Sequence, residues 1–161
     1  MHSLTTSLRR HVGLLTLLAV MAPLAALAGQ GHSAAARTFI TSDACLGSRD
    51  VFLGAVISGQ KFVFTEFKDS YWETLKQEAD FESMVHELLP TVQTMFTEAE
   101  LTVINADALS PSTDFSRTVV GAKLDEEQVA ITEACTAAAV SFGTELGHRV
   151  GKDYRKPKYR K

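Results

Sequence analysis

The chain contains few of the residues on which catalytic and metal sites depend. Its 161 residues include two cysteines, and three of its five histidines lie beyond residue 28. A Gly-x-Ser-x-Gly nucleophile elbow, a phosphate-binding glycine loop and a haem-attachment motif are all missing from the sequence. We therefore expect no catalytic residue, no metal site and no cofactor, and an enzyme of unknown class is the third-ranked hypothesis.

Two histidines stand in incomplete versions of known metal motifs. Glu145 and His148 have the Glu-x-x-His spacing of di-iron bundles, but such sites need a second pair and two further glutamates. His86 has Ser83 three residues before it, and Pro90 stands where a zinc-protease motif requires its second histidine. Neither pattern predicts a metal site.

Residues 1–28 have the composition of an export signal. A basic stretch at 9–11 is followed by an uncharged apolar run at 14–28, which ends in the small-x-small sequence that signal peptidase accepts. The run has about 15 residues, whereas a membrane-spanning helix requires roughly 20. We predict a cleaved signal peptide at 1–28 and a periplasmic or secreted protein, with an uncleaved membrane anchor as the alternative.

The two cysteines, Cys45 and Cys135, lie far apart in the sequence. An oxidising compartment favours a structural disulfide between them, because an isolated pair without Cys-x-x-Cys spacing does not suit a redox or metal site. Such a bond would close a loop of about 90 residues and contribute roughly 4–5 kcal/mol of stability on a chain-entropy model. Free thiols are the alternative.

The apolar spacing over 42–151 predicts an all-α domain. Apolar residues recur at three- and four-residue intervals in several stretches, as in helices that face a core. We predict a small bundle of four to five helices in one domain, with the first and last helices joined by the disulfide. The first helix would begin near Ser42 and leave 29–41 as a flexible N-terminal arm. The run 61–67 fits either a helix or a short strand.

Local signals mark the starts of the later helices. Residues 70–73 and 97–100 have the capping-box pattern, and Asp80 is a suitable N-cap. Pro90 lies inside the apolar stripe that follows Asp80 and predicts a kink or a break there. A loop over 110–123 would precede the last helix.

Charge is divided between an acidic body and a basic tail. Residues 29–151 contain eighteen acidic and eight basic side chains, whereas 152–161 contain six basic side chains and one acidic. The acidic body argues against nucleic-acid binding, because phosphate contacts need a basic surface. The tail, 152–161, is predicted to be disordered because it is dense in charge. Its candidate electrostatic contacts, to a membrane surface, a cell-wall polymer or an acidic partner, are Lys152, Arg155, Lys156, Lys158, Arg160 and Lys161. The alternative is a solubilising tail that folds loosely against the acidic body.

Five aromatic side chains lie within eleven residues: Phe62, Phe64, Phe67, Tyr71 and Trp72. Aromatic residues are favoured anchors at interfaces, so this group is the candidate contact with a partner or ligand. The same residues also suit the core of a small domain. The layout of leader, helices and two cysteines resembles that of small exported helical proteins such as immunity proteins, secretion pilotins and acid-stress chaperones.

The function that these features favour is non-catalytic binding. We hypothesise an exported helical protein that binds an unknown protein partner in the periplasm or outside the cell, as an inhibitor, immunity protein, adaptor or chaperone would. The alternative is a carrier that holds a small apolar ligand or lipid between its helices.

Overall fold

The computed structural model describes residues 29–161. Helix α1 occupies 29–40, and two 3-10 turns, Phe115–Arg117 and Pro157–Tyr159, flank the last helix. No strand occurs in this part of the chain, so the all-α, single-domain prediction is confirmed there. The signal peptide predicted at 1–28 lies outside the described residues. The other helices are α2 (Arg49–Val63), α3 (Asp69–Glu78), α4 (Phe81–Met95), α5 (Glu98–Leu109) and α6 (Val119–Tyr154).

The segment predicted to be a flexible arm is instead helix α1, and it contributes to the core. Ala36, Phe39 and Ile40 are each at most 1% exposed. The ring of Phe39 packs against that of Phe96 with 6.1 Å between centroids. The prediction was wrong because an alanine-rich segment forms a helix readily once large apolar residues at its end are buried by other helices.

Helix α2 begins later than predicted. Its N-cap is Ser48, whose hydroxyl accepts the N–H of Val51, and the residues between α1 and α2 form a turn that ends at Gly47 with φ of 74°. Such a positive φ is readily adopted by glycine and reverses the chain before α2. Residues 61–63 complete α2, so the helical interpretation of 61–67 holds for its first half only.

The disulfide between Cys45 and Cys135 is present, with their Cα atoms 5.5 Å apart. Cys45 lies in the turn between α1 and α2, whereas Cys135 lies within α6. The bond therefore joins this turn to the last helix, and the prediction that it joins the first and last helices was wrong in that detail. The difference arises because α1, which the sequence did not reveal, precedes the turn.

Helix α6, with 36 residues, packs against α2, α4 and α5. The ring of Phe142 lies 5.5 Å from that of Phe52 on α2, and Phe52 in turn lies 5.6 Å from Phe81 on α4. These three rings connect α2, α4 and α6 in one core. None of the helices within 29–161 is both long and apolar enough to cross a membrane.

Of the three later helix starts predicted from capping signals, two are confirmed. The carboxylate of Asp80 accepts the N–H of Ser83, and Thr97 forms a full capping box with Glu100. The capping box predicted at 70–73 is absent, because α3 begins after Lys68 with no side-chain cap.

Helix α4 continues through Pro90 to Met95 without a break. Pro90 is exposed, so the amide hydrogen bond that a proline removes is lost on the solvent side of the helix.

The loop predicted over 110–123 is shorter than expected, because Thr118 caps α6 by accepting the N–H of Gly121 at 3.0 Å.

Candidate binding surfaces

The five clustered aromatic residues divide between the core and the surface. Phe67, Tyr71 and Trp72 are buried, and the rings of Phe67 and Tyr71 stack at 4.1 Å. Phe64 is half-buried against Tyr154, with 5.5 Å between ring centroids. Phe62, in contrast, is 87% exposed. Of the predicted partner contacts, three therefore serve the core and Phe62 alone is fully available to a partner.

A buried hydrogen-bonded pair connects this aromatic cluster to α6. The hydroxyl of Tyr71 donates to the carboxylate of Asp153 at 3.2 Å, and the ammonium of Lys156 donates to the same carboxylate at 2.7 Å. Burial raises the pKa of Asp153, but the hydrogen bond and charge of Lys156, together with the Tyr71 hydroxyl, lower it by more. Burial, followed by the charge of Asp153, raises the pKa of Tyr71, so its hydroxyl remains protonated. Asp153 is thus a stabilised internal anion.

The basic tail is ordered, contrary to the prediction. Helix α6 extends to Tyr154, and the residues beyond it, 155–161, fold back as what we call the C-terminal clasp. The N–H of Lys68 donates to the carbonyl of Tyr159 at 3.0 Å, and the N–H of Lys161 donates to the carbonyl of Glu66 at 2.8 Å. The helical domain predicted for 42–151 therefore extends over 29–161.

Aromatic packing holds the clasp as well. The ring of Tyr159 lies 5.1 Å from that of Tyr71, and the Lys158 ammonium lies 4.6 Å from the Tyr159 ring. The prediction of disorder was wrong because backbone pairing and this ring contact bury the apolar part of the clasp while its cations stay at the surface.

The cations of the tail differ in their surroundings. Lys156 is paired with Asp153, and the guanidinium of Arg160 lies 3.8 Å from the carboxylate of Glu66. The four others have no acidic side chain within 4.0 Å among residues 29–161, and all four are exposed. They are Lys152, Arg155, Lys158 and Lys161.

A cleft of about 330 Å³, here called the acidic cleft, lies between the α3–α4 junction and α6. Met84, Phe142 and Leu146 supply its apolar lining. Arg149 is the cation of its rim and is paired with Glu78. The other rim carboxylates, which have no cationic partner among the described residues, are Asp80, Glu87 and Glu145.

Sequence reasoning did not identify the acidic cleft. By their spacing, Met84 and Glu87 of α4 lie on the same side of the helix as its N-cap Asp80, and the acidic excess of the body was visible in the composition. The sequence did not reveal that this face of α4 lies opposite Phe142 and Glu145 of α6, since that depends on helix packing.

A second cleft of about 330 Å³, here called the disulfide cleft, lies beside the Cys45–Cys135 bond. Leu46, Phe52 and Ala139 line it, and Val140, which is 62% exposed, stands at its edge. None of its lining residues carries a charge, so it suits an apolar group.

Neither incomplete metal motif gains further ligands from the fold. Within 29–161, no three side chains of His, Cys, Asp or Glu come together in a group that could hold a metal ion. Glu145 lines the acidic cleft, whereas His148 and His86 do not. Comparison of the chain with protein-family models, with curated proteins and with solved structures finds no match.

Proposed function

We propose that the protein is exported and acts, without catalysis, by binding a protein partner in the acidic cleft. The observation that carries this proposal is the combination of an apolar lining with three rim carboxylates that have no cationic partner among residues 29–161, those of Asp80, Glu87 and Glu145. The partner that fits this combination presents a basic segment with apolar side chains on the same face, such as an amphipathic helix.

The two parts of the cleft have different roles in this proposal. Burial of the partner's apolar side chains against Met84, Phe142 and Leu146 would supply most of the binding free energy. The rim carboxylates would speed the encounter with a basic segment and disfavour acidic competitors. Because these carboxylates are exposed, the association rate is expected to fall as salt is added.

Export is supported by the leader and by the disulfide. Cys45 and Cys135 are bonded to each other, and such bonds persist mainly in oxidising compartments. The proposed site of action is therefore the periplasm or the exterior of the cell.

The test compares how much partner is captured by the wild-type protein and by two double variants, each of which carries two charge reversals. Glu87→Lys with Glu145→Lys alters the cleft, whereas Glu126→Lys with Glu133→Lys makes the same change in charge at exposed positions of α6 that do not line it. Tagged wild-type protein and both variants are recovered from the envelope fraction of the native cells, and bound proteins are identified by mass spectrometry.

We expect one protein in stoichiometric amount with the wild type and with the α6 control, and its loss with the cleft variant. Equal recovery by the cleft variant would refute the assignment of the site. Recovery of no protein by the wild type would refute the proposed function itself.

A second candidate function is carriage of a small apolar ligand, which the uncharged disulfide cleft favours. Native mass spectrometry of the purified protein would then show a bound lipid or other hydrophobe. Val140→Asp at the edge of this cleft should abolish that extra mass, whereas Val129→Asp, at another exposed valine of α6, should not.

A further inference from the structure

We propose that the end of the bundle formed by the C-terminal clasp and the last turn of α2 binds an anionic phospholipid surface. The unpaired cations of the tail contact lipid phosphates in this arrangement, and Phe62 inserts among the headgroups. The acidic cleft takes no part in this contact.

The apolar and basic elements of this surface lie at the same end of the molecule. Helices α2 and α6 run in the same direction, because Phe52 in the first turn of α2 meets Phe142, and Phe64 at the C-cap of α2 meets Tyr154, the last residue of α6. The exposed pair Phe62–Val63 at the end of α2 is therefore close to the clasp that follows α6. Phe67, in the segment between α2 and α3, also packs against Tyr154 with 5.6 Å between ring centroids.

The clasp fixes its cations in place. Its backbone is hydrogen-bonded to Glu66 and Lys68, and the Lys68 ammonium donates to the carbonyl of Lys158 at 3.1 Å. Little conformational entropy is therefore lost when Lys158 or Lys161 contacts a phosphate, compared with the same residues in a disordered tail.

Two acidic side chains at this end, those of Asp153 and Glu66, are already engaged within the protein, whereas Asp69 is exposed and forms no ion pair among the described residues. Asp153 is buried and accepts hydrogen bonds from Tyr71 and Lys156. Glu66 accepts the hydroxyl of Tyr154 at 2.9 Å and lies near Arg160. The charge presented outward is therefore mainly that of the unpaired cations, which is the sign that attracts anionic lipids.

Phe62 and Val63 have the exposure of inserting side chains. They are 87% and 69% exposed, and neither lines the acidic cleft or the disulfide cleft. Exposed apolar side chains flanked by cations are typical of surfaces that enter the headgroup region of a bilayer. A flat lipid surface needs no concave pocket on the protein, whereas anchoring a protein partner usually does.

The acidic body determines how the molecule is oriented at an anionic membrane. Residues 29–151 have a large acidic excess, so an anionic membrane repels the rest of the molecule while attracting this end. The binding of a lipid surface is thus expected to be specific to one pole of the bundle.

The test measures sedimentation of the protein, expressed from its whole gene and recovered after export, with phosphatidylcholine vesicles that contain or lack phosphatidylglycerol. The charge variant is Arg155→Glu with Lys161→Glu, and the insertion variant is Phe62→Ser. The controls are Arg117→Glu, which reverses one cation, and Val129→Ser; both residues are exposed and distant in sequence from the clasp and from the end of α2.

We expect binding that requires phosphatidylglycerol, weakens with salt, and falls about tenfold or more in the charge variant. The insertion variant should also bind more weakly, and both controls should bind as the wild type does. Circular dichroism of each variant checks the fold, and Lys158→Ala is a second charge variant should the first fail to fold.

Three outcomes would overturn the proposal. The first is that the protein binds neutral vesicles as well as those with phosphatidylglycerol. The second is that the charge variant and the insertion variant both bind as the wild type does. The third is that the protein does not bind vesicles and this surface binds an acidic protein instead. The cleft variant Glu87→Lys with Glu145→Lys should still bind vesicles, so failure of the membrane proposal and failure of the proposed function are distinguishable.

Discussion

The hydroxyl of Tyr71 donates a hydrogen bond to the carboxylate of Asp153 across 3.2 Å, although the two residues are 82 positions apart in the sequence. This bond connects α3 to the last turn of α6. The same carboxylate accepts Lys156, the second residue of the clasp. Asp153 therefore couples the fold of the helices to the order of the C-terminal residues.

Asp153→Asn should destabilise the protein in a manner that depends on pH. The carboxylate has a lowered pKa in the folded state, so its stabilising effect is complete above the unfolded pKa of about 3.9 and is lost as pH falls through the folded pKa. We expect a loss of about 2 kcal/mol at neutral pH, measured by urea unfolding, that shrinks toward zero in strong acid.

The control for this change is Asp114→Asn, which removes an exposed partner of Arg117. Its effect on the free energy of unfolding should stay within about 0.5 kcal/mol at any pH. If Asp153→Asn lowers the free energy of unfolding equally at neutral and at acid pH, the pKa of Asp153 is not lowered in the folded state.

Tyr159→Ala should release the clasp. The ring of Tyr159 packs on Tyr71, and removing it loses that contact together with the apolar area it buries, at a cost of about 1–2 kcal/mol. The amide protons of Lys68 and Lys161, which are hydrogen-bonded across the clasp, should then exchange with solvent faster. Tyr159→Phe keeps the ring and should leave both exchange rates unchanged; faster exchange in this variant would argue against ring packing as the cause.

The double substitution Cys45→Ala with Cys135→Ala should lower the free energy of unfolding by roughly 4 kcal/mol, since the bond closes a loop of 90 residues. Wild-type protein that has been reduced should unfold at the same denaturant concentration as the double variant. Intact mass provides the independent check, because reduction adds two hydrogens only if the bond exists. An unchanged mass would show free thiols.

Gly121→Ala and Gly143→Ala should have opposite effects, although both glycines lie in α6. A Cβ at Gly121 would collide with the backbone of Phe115 and Ser116, so we expect destabilisation by about 1–3 kcal/mol. A Cβ at Gly143 meets no atom within 4 Å, so alanine should stabilise the helix there by about 0.5–1 kcal/mol. Thermal unfolding of the two variants measures these changes in stability. Stabilisation by Gly121→Ala would show that Gly121 does not lie this close to the backbone of Phe115 and Ser116.

Predictions based on local chemistry succeeded where nothing distant competed with them. The capping box of Thr97 and Glu100 and the cap at Asp80 depend on residues three apart, and both are present. The similar pattern at Ser70 failed because the N–H of Lys68 is hydrogen-bonded to Tyr159, and α3 begins directly after this contact. A capping pattern in the sequence cannot reveal a competing partner ninety residues away.

The amino-acid sequence by itself determined the helical class, the single pair of cysteines, and the division between an acidic body and a basic tail. These properties depend on composition and on spacing within a few residues. The tertiary structure alone decided that Phe67 is buried while Phe62 is exposed, that the tail folds back as a clasp, and that Glu87 and Glu145 share a cleft. The physical reason is that burial and pairing depend on which helices meet, and the partners, such as Tyr71 and Asp153, are distant in the chain.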